Sequence, residues 1–189
     1  MRGWLYRHTP GSGNVAHRRR CLGFSRRWGL ERRGFTKEGF FVLFKEKFLA
    51  DIPPGTFWEF AAGDGLVGSL GVWLERIPGW KVEIWEHRQA PLAYCRTNRP
   101  RALIHGGRKA GGDLPAGSEA GTSPWGITAR SARDAGAVCR ALRKRQIQPQ
   151  LIGLWNPTER SVWASRLKAE GYSLELVYQR MELYRRKIK

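Results

Sequence analysis

Between Thr56 and Glu86 the chain runs TFWEF, AAGDG, LVGSLGVWLER and KVEIWE in succession. An apolar run gives way to a glycine-rich break, a helical pattern follows, and a second run then alternates apolar and polar residues. Thr56–Ala61 is predicted as a buried strand. Leu66–Arg76 is predicted as an amphipathic helix, with Leu66, Leu70, Trp73, Leu74 and Ile77 on one side, and Lys81–Glu86 as a second strand. A strand, a helix and a second strand at this spacing form a right-handed parallel crossover, because the helix can pack back onto the sheet in only one hand. Ala90–Arg99 extends the pattern as a helix and Arg101–His105 as a third strand.

The rest of the chain carries the same alternation with interruptions. Thr36–Ala50 places Phe40, Phe41, Phe44 and Phe48 at helical spacing, with Thr36 as N-cap, and Pro53-Pro54-Gly55 ends that helix. From Gly106 to Gly126, seven glycines and two prolines leave little to pack, so a long loop is expected. Thr128–Arg145 is predicted as a helix and Leu151–Trp155 as a strand. A helix from about Glu159 to Glu170 ends at Gly171, and Ser173–Tyr184 is a final strand before a basic tail. The expected fold class is therefore α/β, a Rossmann-like, mostly parallel twisted sheet of five to six strands flanked by helices. Residues 35–189 form the domain, with the glycine-rich loop at 106–126.

Residues 1–34 precede that domain and differ from it. They hold nine arginines against one acid, Glu31, out of a formal net charge of +18 for the 189 residues. With scattered Gly, Ser and Pro and no sustained period, this segment is expected to be poorly ordered. It also has the composition of a transit-like leader. Its field favours weak, salt-sensitive and nonspecific contact with nucleic acid or other polyanions. No RNP, zinc-finger or helix-turn-helix pattern accompanies it.

Three cysteines without CxxC spacing exclude a disulfide framework and point to a reducing, cytoplasmic setting. No apolar run reaches membrane-spanning length. His8, His17, His87 and His105 lack ligand spacing with cysteines or carboxylates, so no metal site is expected.

In an open parallel sheet, ligands collect in the crevice beyond the carboxyl ends of the strands. The break after the first strand therefore bears on function. Glu59 is an acid inside an apolar run, and a buried carboxylate is costly unless hydrogen-bonded or paired. Gly63 and Gly65 remove side chains where a ligand would approach the backbone. Glu86 ends the next strand and can accept both hydrogen bonds of a ribose diol. The string Gly63-Asp64-Gly65-Leu66-Val67-Gly68 also satisfies G-x-G-x-x-G, which keeps a nicotinamide-dependent oxidoreductase as an alternative.

Glu59-Phe60-Ala61-Ala62-Gly63-Asp64-Gly65 is similar to the E/D-x-G-x-G-x-G signature of S-adenosylmethionine enzymes, with Ala61 in place of the first glycine. More widely, FWEFAAGDG, then Ser69 with Leu74-Glu75, Gly79-Trp80, VEIWE and Asn98-Arg99-Pro100 resemble, in order and spacing, the FkbM-like methyltransferases. That resemblance covers about fifty residues. It implies an abridged class I methyltransferase fold that binds S-adenosylmethionine and transfers a methyl group to a hydroxyl of a small molecule or sugar. It further implies that Glu59, Gly63 and Gly65 surround the methionine moiety, that Glu86 holds the ribose, and that Asp64 and Ser69 line the crevice. His87 stands either beside adenine or in solvent, and Glu75 braces the scaffold.

The family's later D-x-E-G-x-E segment is absent, and in IGLWNPTERS Glu159 is the lone acid. Asn156-Pro157 fits either a helix entry or a fragment of the N-P-P-aromatic motif of amino-methylating enzymes. Glu86, His87, His105 and Glu159 are candidate bases at strand ends, but Glu86 is better used on ribose and none of the others stands in a recognisable catalytic constellation, so no catalytic residue is assigned. The alternative to an enzyme is a degenerate Rossmann-like domain that binds polyanions through basic surface.

Overall fold

The computed structural model describes residues 44–50, 52–66, 69–106, 123–155, 160–178 and 181–187. The arginine-rich residues 1–34, most of the predicted 36–50 helix, the 107–122 part of the glycine-rich loop, and Asn156, Pro157 and Glu159 lie outside the described residues.

Seven strands form one sheet: β1 (Thr56–Phe60), β2 (Lys81–Glu86), β3 (Leu103–Gly106), β4 (Gly126–Ala129), β5 (Leu151–Trp155), β6 (Tyr172–Tyr178) and β7 (Met181–Arg186). Their order is β3-β2-β1-β4-β5-β7-β6. β1 to β5 pair in parallel, and β7 lies antiparallel between β5 and β6. The chain leaves β1 toward β2 and β3 on one side and returns to β4 and β5 on the other. The topological switch point therefore lies between β1 and β4, where the strand order reverses, the place at which open parallel sheets bind ligands at the carboxyl ends of their strands.

Alternation along β1 divides the core into two layers. Phe57 faces one side with Leu70, Leu74, Val82, Ile84 and Cys95. That layer is covered by α1 (Gly71–Leu74) and α2 (Gln89–Asn98). Trp58 and Phe60 face the other side with Ile127, Val138, Leu142, Ile152 and Leu167, under α3 (Ala132–Arg143) and α4 (Arg160–Ala169). Phe44, at the N-cap of one wide helical turn at Lys45–Leu49, and Phe48, within it, join the first layer. Among the described residues no helix is long and apolar enough to cross a membrane.

The sequence-based expectation is corrected at four places. First, there are seven strands rather than five or six. The fourth strand, Gly126–Ala129, falls where the end of a loop and the start of a helix are predicted. Four residues are too few to reveal a period, and all four are buried between β1 and β5. A Cβ at Gly126 would lie 2.7 Å from the Phe57 ring, so this strand packs closely because it lacks one. The helix begins only after Ser131, whose Oγ accepts from the Asp134 N–H as an N-cap.

Second, of the described residues in Leu66–Arg76, only Gly71–Leu74 are helical. Ahead of α1, the Ser69 side chain and the Gly71 N–H turn inward to Glu59. Third, Ser173–Tyr184 is a hairpin of two strands rather than one. Gln179 and Arg180, between the strands, include no glycine or proline, so the alternating pattern runs through the reversal without a break. Fourth, Arg185 and Arg186, expected in a basic tail, complete β7.

Candidate functional site

The loop after β1 is left-handed at alternate residues: φ is +54° at Ala61, +69° at Gly63 and +78° at Gly65. This coil brings the chain from the end of β1 across the end of β2. Glycine takes such angles without penalty, whereas alanine places its Cβ against the carbonyl that follows. The alternation accounts for the spacing G-x-G, and Ala61 is strained at the position where the signature has its first glycine. The Ala61 N–H donates to the Trp85 carbonyl at 2.9 Å, which ties the loop to β2.

Glu86 lies at the point where β2 meets the loop. Its side chain is fully shielded from solvent and accepts from the Gly63 N–H at 3.0 Å. It also accepts from the Arg88 backbone N–H, Nε and Nη2, each at 3.0 Å. Burial works against its ionised form. The Arg88 hydrogen bonds and charge, with the Gly63 N–H, outweigh burial and hold the carboxyl below its ordinary value. His87 is exposed at the surface, with Nδ1 3.9 Å from Glu86.

Glu59 turns to the other side of the loop. Its carboxylate accepts from Ser69 Oγ at 2.8–2.9 Å, from the Gly71 N–H at 3.3 Å and from Arg99 Nη1 at 3.1 Å. Arg99 is 1% exposed, and besides Glu59 it donates to Ser69 Oγ at 2.7 Å and to the Gly65 carbonyl at 2.6 Å. Its Nε and Nη2 clasp the Glu75 carboxylate at 2.7–3.0 Å. Desolvation opposes the guanidinium charge, but Glu59 and Glu75 overcome it, so its pKa is raised. The next layer of contacts completes the clamp. Asn98 Nδ2 donates to the Asp64 carbonyl at 2.9 Å, and the Cys95 thiol to the Gly63 carbonyl at 3.1 Å. Burial, with the fields of Glu86, Glu59 and Asp64, pushes the thiol up to about 12, so it stays a proton donor.

The glycine loop is thus held on both sides: Glu86 takes its N–H at Gly63, while Cys95, Asn98 and Arg99 take its carbonyls at 63, 64 and 65. Asp64 bends inward to accept from the Leu66 N–H at 2.9 Å. Space is the reason for glycine here. A Cβ at Gly65 would lie 2.9 Å from Arg99 Cγ, and one at Gly63 would lie 3.3 Å from Arg130 Nη1.

Arg130 leaves the end of β4, beside the switch point, and its guanidinium lies 5.4 Å from the centre of the Trp155 ring at the end of β5. Desolvation lowers its pKa despite the opposing fields of Glu59, Asp64, Cys95 and Glu86.

Of the eight residues nominated from the sequence, Glu59 lies in β1, Ala61, Gly63, Asp64, Gly65 and Ser69 lie on the β1–α1 connection, and Glu86 and His87 lie at the end of β2. His105 is elsewhere: it stacks on Trp85 at 4.7 Å and meets Glu83 at 3.1 Å. Sequence reasoning gave no role to Arg88, Cys95 or Arg130. Asn98 and Arg99 stood in a quoted motif without a function, and the signal for them was their place immediately after the second crossover helix.

No known protein family and no curated protein matches the chain in sequence. Its fold is that of solved class I methyltransferase structures. It resembles a methyltransferase from Pyrococcus furiosus at 14% identity over 92% of this chain and 100% of the other, with a TM-score of 0.56. It resembles DesVI of Streptomyces venezuelae at 10% identity over 92% and 99%, with a TM-score of 0.57. A TehB-like S-adenosylmethionine-dependent methyltransferase from Corynebacterium glutamicum aligns at 15% identity over 92% and 100%, with a TM-score of 0.52. The mostly parallel seven-stranded sheet with flanking helices is common ground at identities this low.

Proposed function

We propose that the chain is an S-adenosylmethionine-dependent methyltransferase of the FkbM-like kind that methylates a hydroxyl of a small molecule or sugar. The observation that carries this reading is the bond from the Gly63 N–H to Glu86, which fixes a carboxylate and a glycine cradle together beside the switch point. The residues present fit the donor: a shielded carboxylate ends β2, and Gly63 and Gly65 keep the left-handed loop beside it free of β-carbons.

When bound, S-adenosylmethionine supplies an electrophilic methyl group. Glu86 accepts the ribose hydroxyls, Gly63 and Gly65 let the backbone approach the methionine end, and Asp64 and Ser69 border the crevice, with His87 at the adenine side. Glu59 acts at one remove, because Arg99, Ser69 and Gly71 engage its carboxylate while the same Arg99 holds the loop. The chain's contribution to rate is positioning: holding donor and acceptor at near-attack distance supplies much of the acceleration that methyl transfer requires.

The nicotinamide alternative is less well supported. A dinucleotide pyrophosphate sits on a helix N-terminus that opens within the glycine motif. Here the helix begins only at Gly71 and spans four residues. Calorimetric titration of the full chain separates the readings. Saturable binding of S-adenosylhomocysteine and none of reduced nicotinamide cofactor is expected, and the reverse pattern would overturn the proposal.

A further inference from the structure

α3 starts at the crevice edge, directly after β4, and runs back along the sheet. Its twelve residues carry its end about 18 Å away at 1.5 Å per residue. α4 follows β5 in the same sense, so both helices end at the side of the sheet opposite the crevice. Arg140, Arg143, Lys144 and Arg145 are exposed at the end of α3, and Arg166 and Lys168 at the end of α4.

Two of these charges, Arg140 and Arg166, come together beside Trp163. A Cβ at Gly136 would lie 3.5 Å from both Arg140 Nη1 and Trp163 Cη2, and the Arg166 guanidinium lies 5.0 Å from the Trp163 ring. Arg140 and Arg166 therefore both approach the same indole, and the buried Cys139 thiol between the helices feels Arg166, Glu170, Arg143 and Arg140. Of the acids on or next to these helices among the described residues, Asp134 is buried at the far end of α3 and Glu170 is half-buried beyond α4.

The helix dipole accounts for cations in the last turn of a helix, but not for Arg145. Arg145 stands beyond the helix at φ +55°, with its N–H donating to the Leu142 carbonyl while the Gln146 N–H reaches back to Ala141. That is the left-handed closing position where glycine, or else asparagine, costs least. An arginine there keeps a charge at the expense of backbone strain, a pattern that concentrates at functional sites.

We propose that the exposed ends of α3 and α4 form a docking surface for the phosphate backbone of a nucleic acid, separate from the arginine-rich residues 1–34. Trp163 is 5% exposed beneath Arg166 and offers no stacking platform. Recognition is therefore of phosphate charge and not of sequence, and RNA and DNA strands bind alike. The surface does not depend on the methyl-donor site: Arg143 and Arg145 stand about the length of α3 away from it, and only the Arg140 head group reaches back to Gly136.

The test uses the full chain and two charge-matched variants. One carries Arg140→Gln, Arg143→Gln and Arg145→Gln. The control carries Lys81→Gln, Arg96→Gln and Arg101→Gln, all exposed on the opposite flank. Affinity for a 30-nucleotide RNA and for DNA of the same sequence is measured against salt. The expected result is at least a tenfold loss in the α3 variant with a salt slope shallower by about 2, at 0.7–0.9 per lost phosphate contact. The control should change less than threefold, and both variants should keep wild-type melting and S-adenosylhomocysteine binding. Equal losses in the two variants would overturn the proposal in favour of net charge alone. So would binding of the full chain to phosphatidylserine vesicles without binding to either nucleic acid.

Discussion

Arg99 meets Glu59 at 3.1 Å across a sequence separation of 40, and both side chains are almost wholly shielded from solvent. The same guanidinium holds Glu75 at 2.7 Å and the carbonyl of Gly65 at 2.6 Å. One cation thus connects the middle of β1, the end of α1 and the glycine loop, so the shape of the crevice depends on a pairing outside it.

Removing one partner of a buried pair leaves the other charge uncompensated, which costs about 3–5 kcal/mol. Arg99→Leu should lower unfolding stability by that amount in urea titration. The pair should also be coupled, so that Arg99→Leu with Glu59→Gln costs less than the sum of the single changes. Additive losses would show that the contact contributes little beyond its two separate sites.

Ala61 offers a gain. Its φ of +54° is a conformation that costs alanine about 1–2 kcal/mol, partly offset by the greater freedom of glycine in the unfolded chain. Ala61→Gly should stabilise the fold by roughly 0.5–1 kcal/mol. Gly65→Ala should destabilise it by more than that, because strain at φ +78° adds to the 2.9 Å approach to Arg99. Equal and opposite shifts of melting temperature in the two variants would contradict the packing argument.

The pH dependence of stability has two limbs with known sign. Glu86 is held below its ordinary value in the fold, so its contribution is present above the unfolded carboxylate pKa of about 4.3 and is lost as pH falls through the folded value. Cys95 is raised to about 12, so its contribution is present below the unfolded thiol pKa of about 8.5 and is lost as pH rises toward 12. Glu86→Gln should flatten the acid limb and Cys95→Ser the alkaline one, read from urea midpoints across pH. A wild-type acid limb in Glu86→Gln would remove Glu86 from the account.

Arg88 occupies the Glu86 carboxylate in the free protein with three hydrogen bonds. The two side-chain bonds compete with a ribose diol for the same lone pairs, whereas the backbone N–H does not. Arg88→Ala should therefore tighten S-adenosylhomocysteine binding severalfold by calorimetry. A large loss of affinity would mean that Arg88 contacts the ligand instead.

The first half of the sheet was legible in the sequence because each element there has its own signal. TFWEF is bounded by Gly55 and the AAGDG break, KVEIWE alternates, and Ala90–Arg99 matches the observed Gln89–Asn98 within a residue. The second half was less so. β4 is four residues long and owes its state to neighbours on both sides, while the β6–β7 reversal lacks turn chemistry. At the site, the acids and glycines announced themselves by being out of place in apolar runs. Arg130 did not, since one arginine among many carries no local sign that it will end beside Gly63.

The account rests most heavily on Glu86 as the ribose acceptor, and a structure of the full chain with S-adenosylhomocysteine tests that directly. The account predicts both ribose hydroxyls within about 3 Å of the Glu86 carboxylate, with the Arg88 side chain swung away and the Gly63 N–H bond retained. Ligand bound elsewhere, or Arg88 still clasping Glu86 with the ribose out of reach, would contradict it.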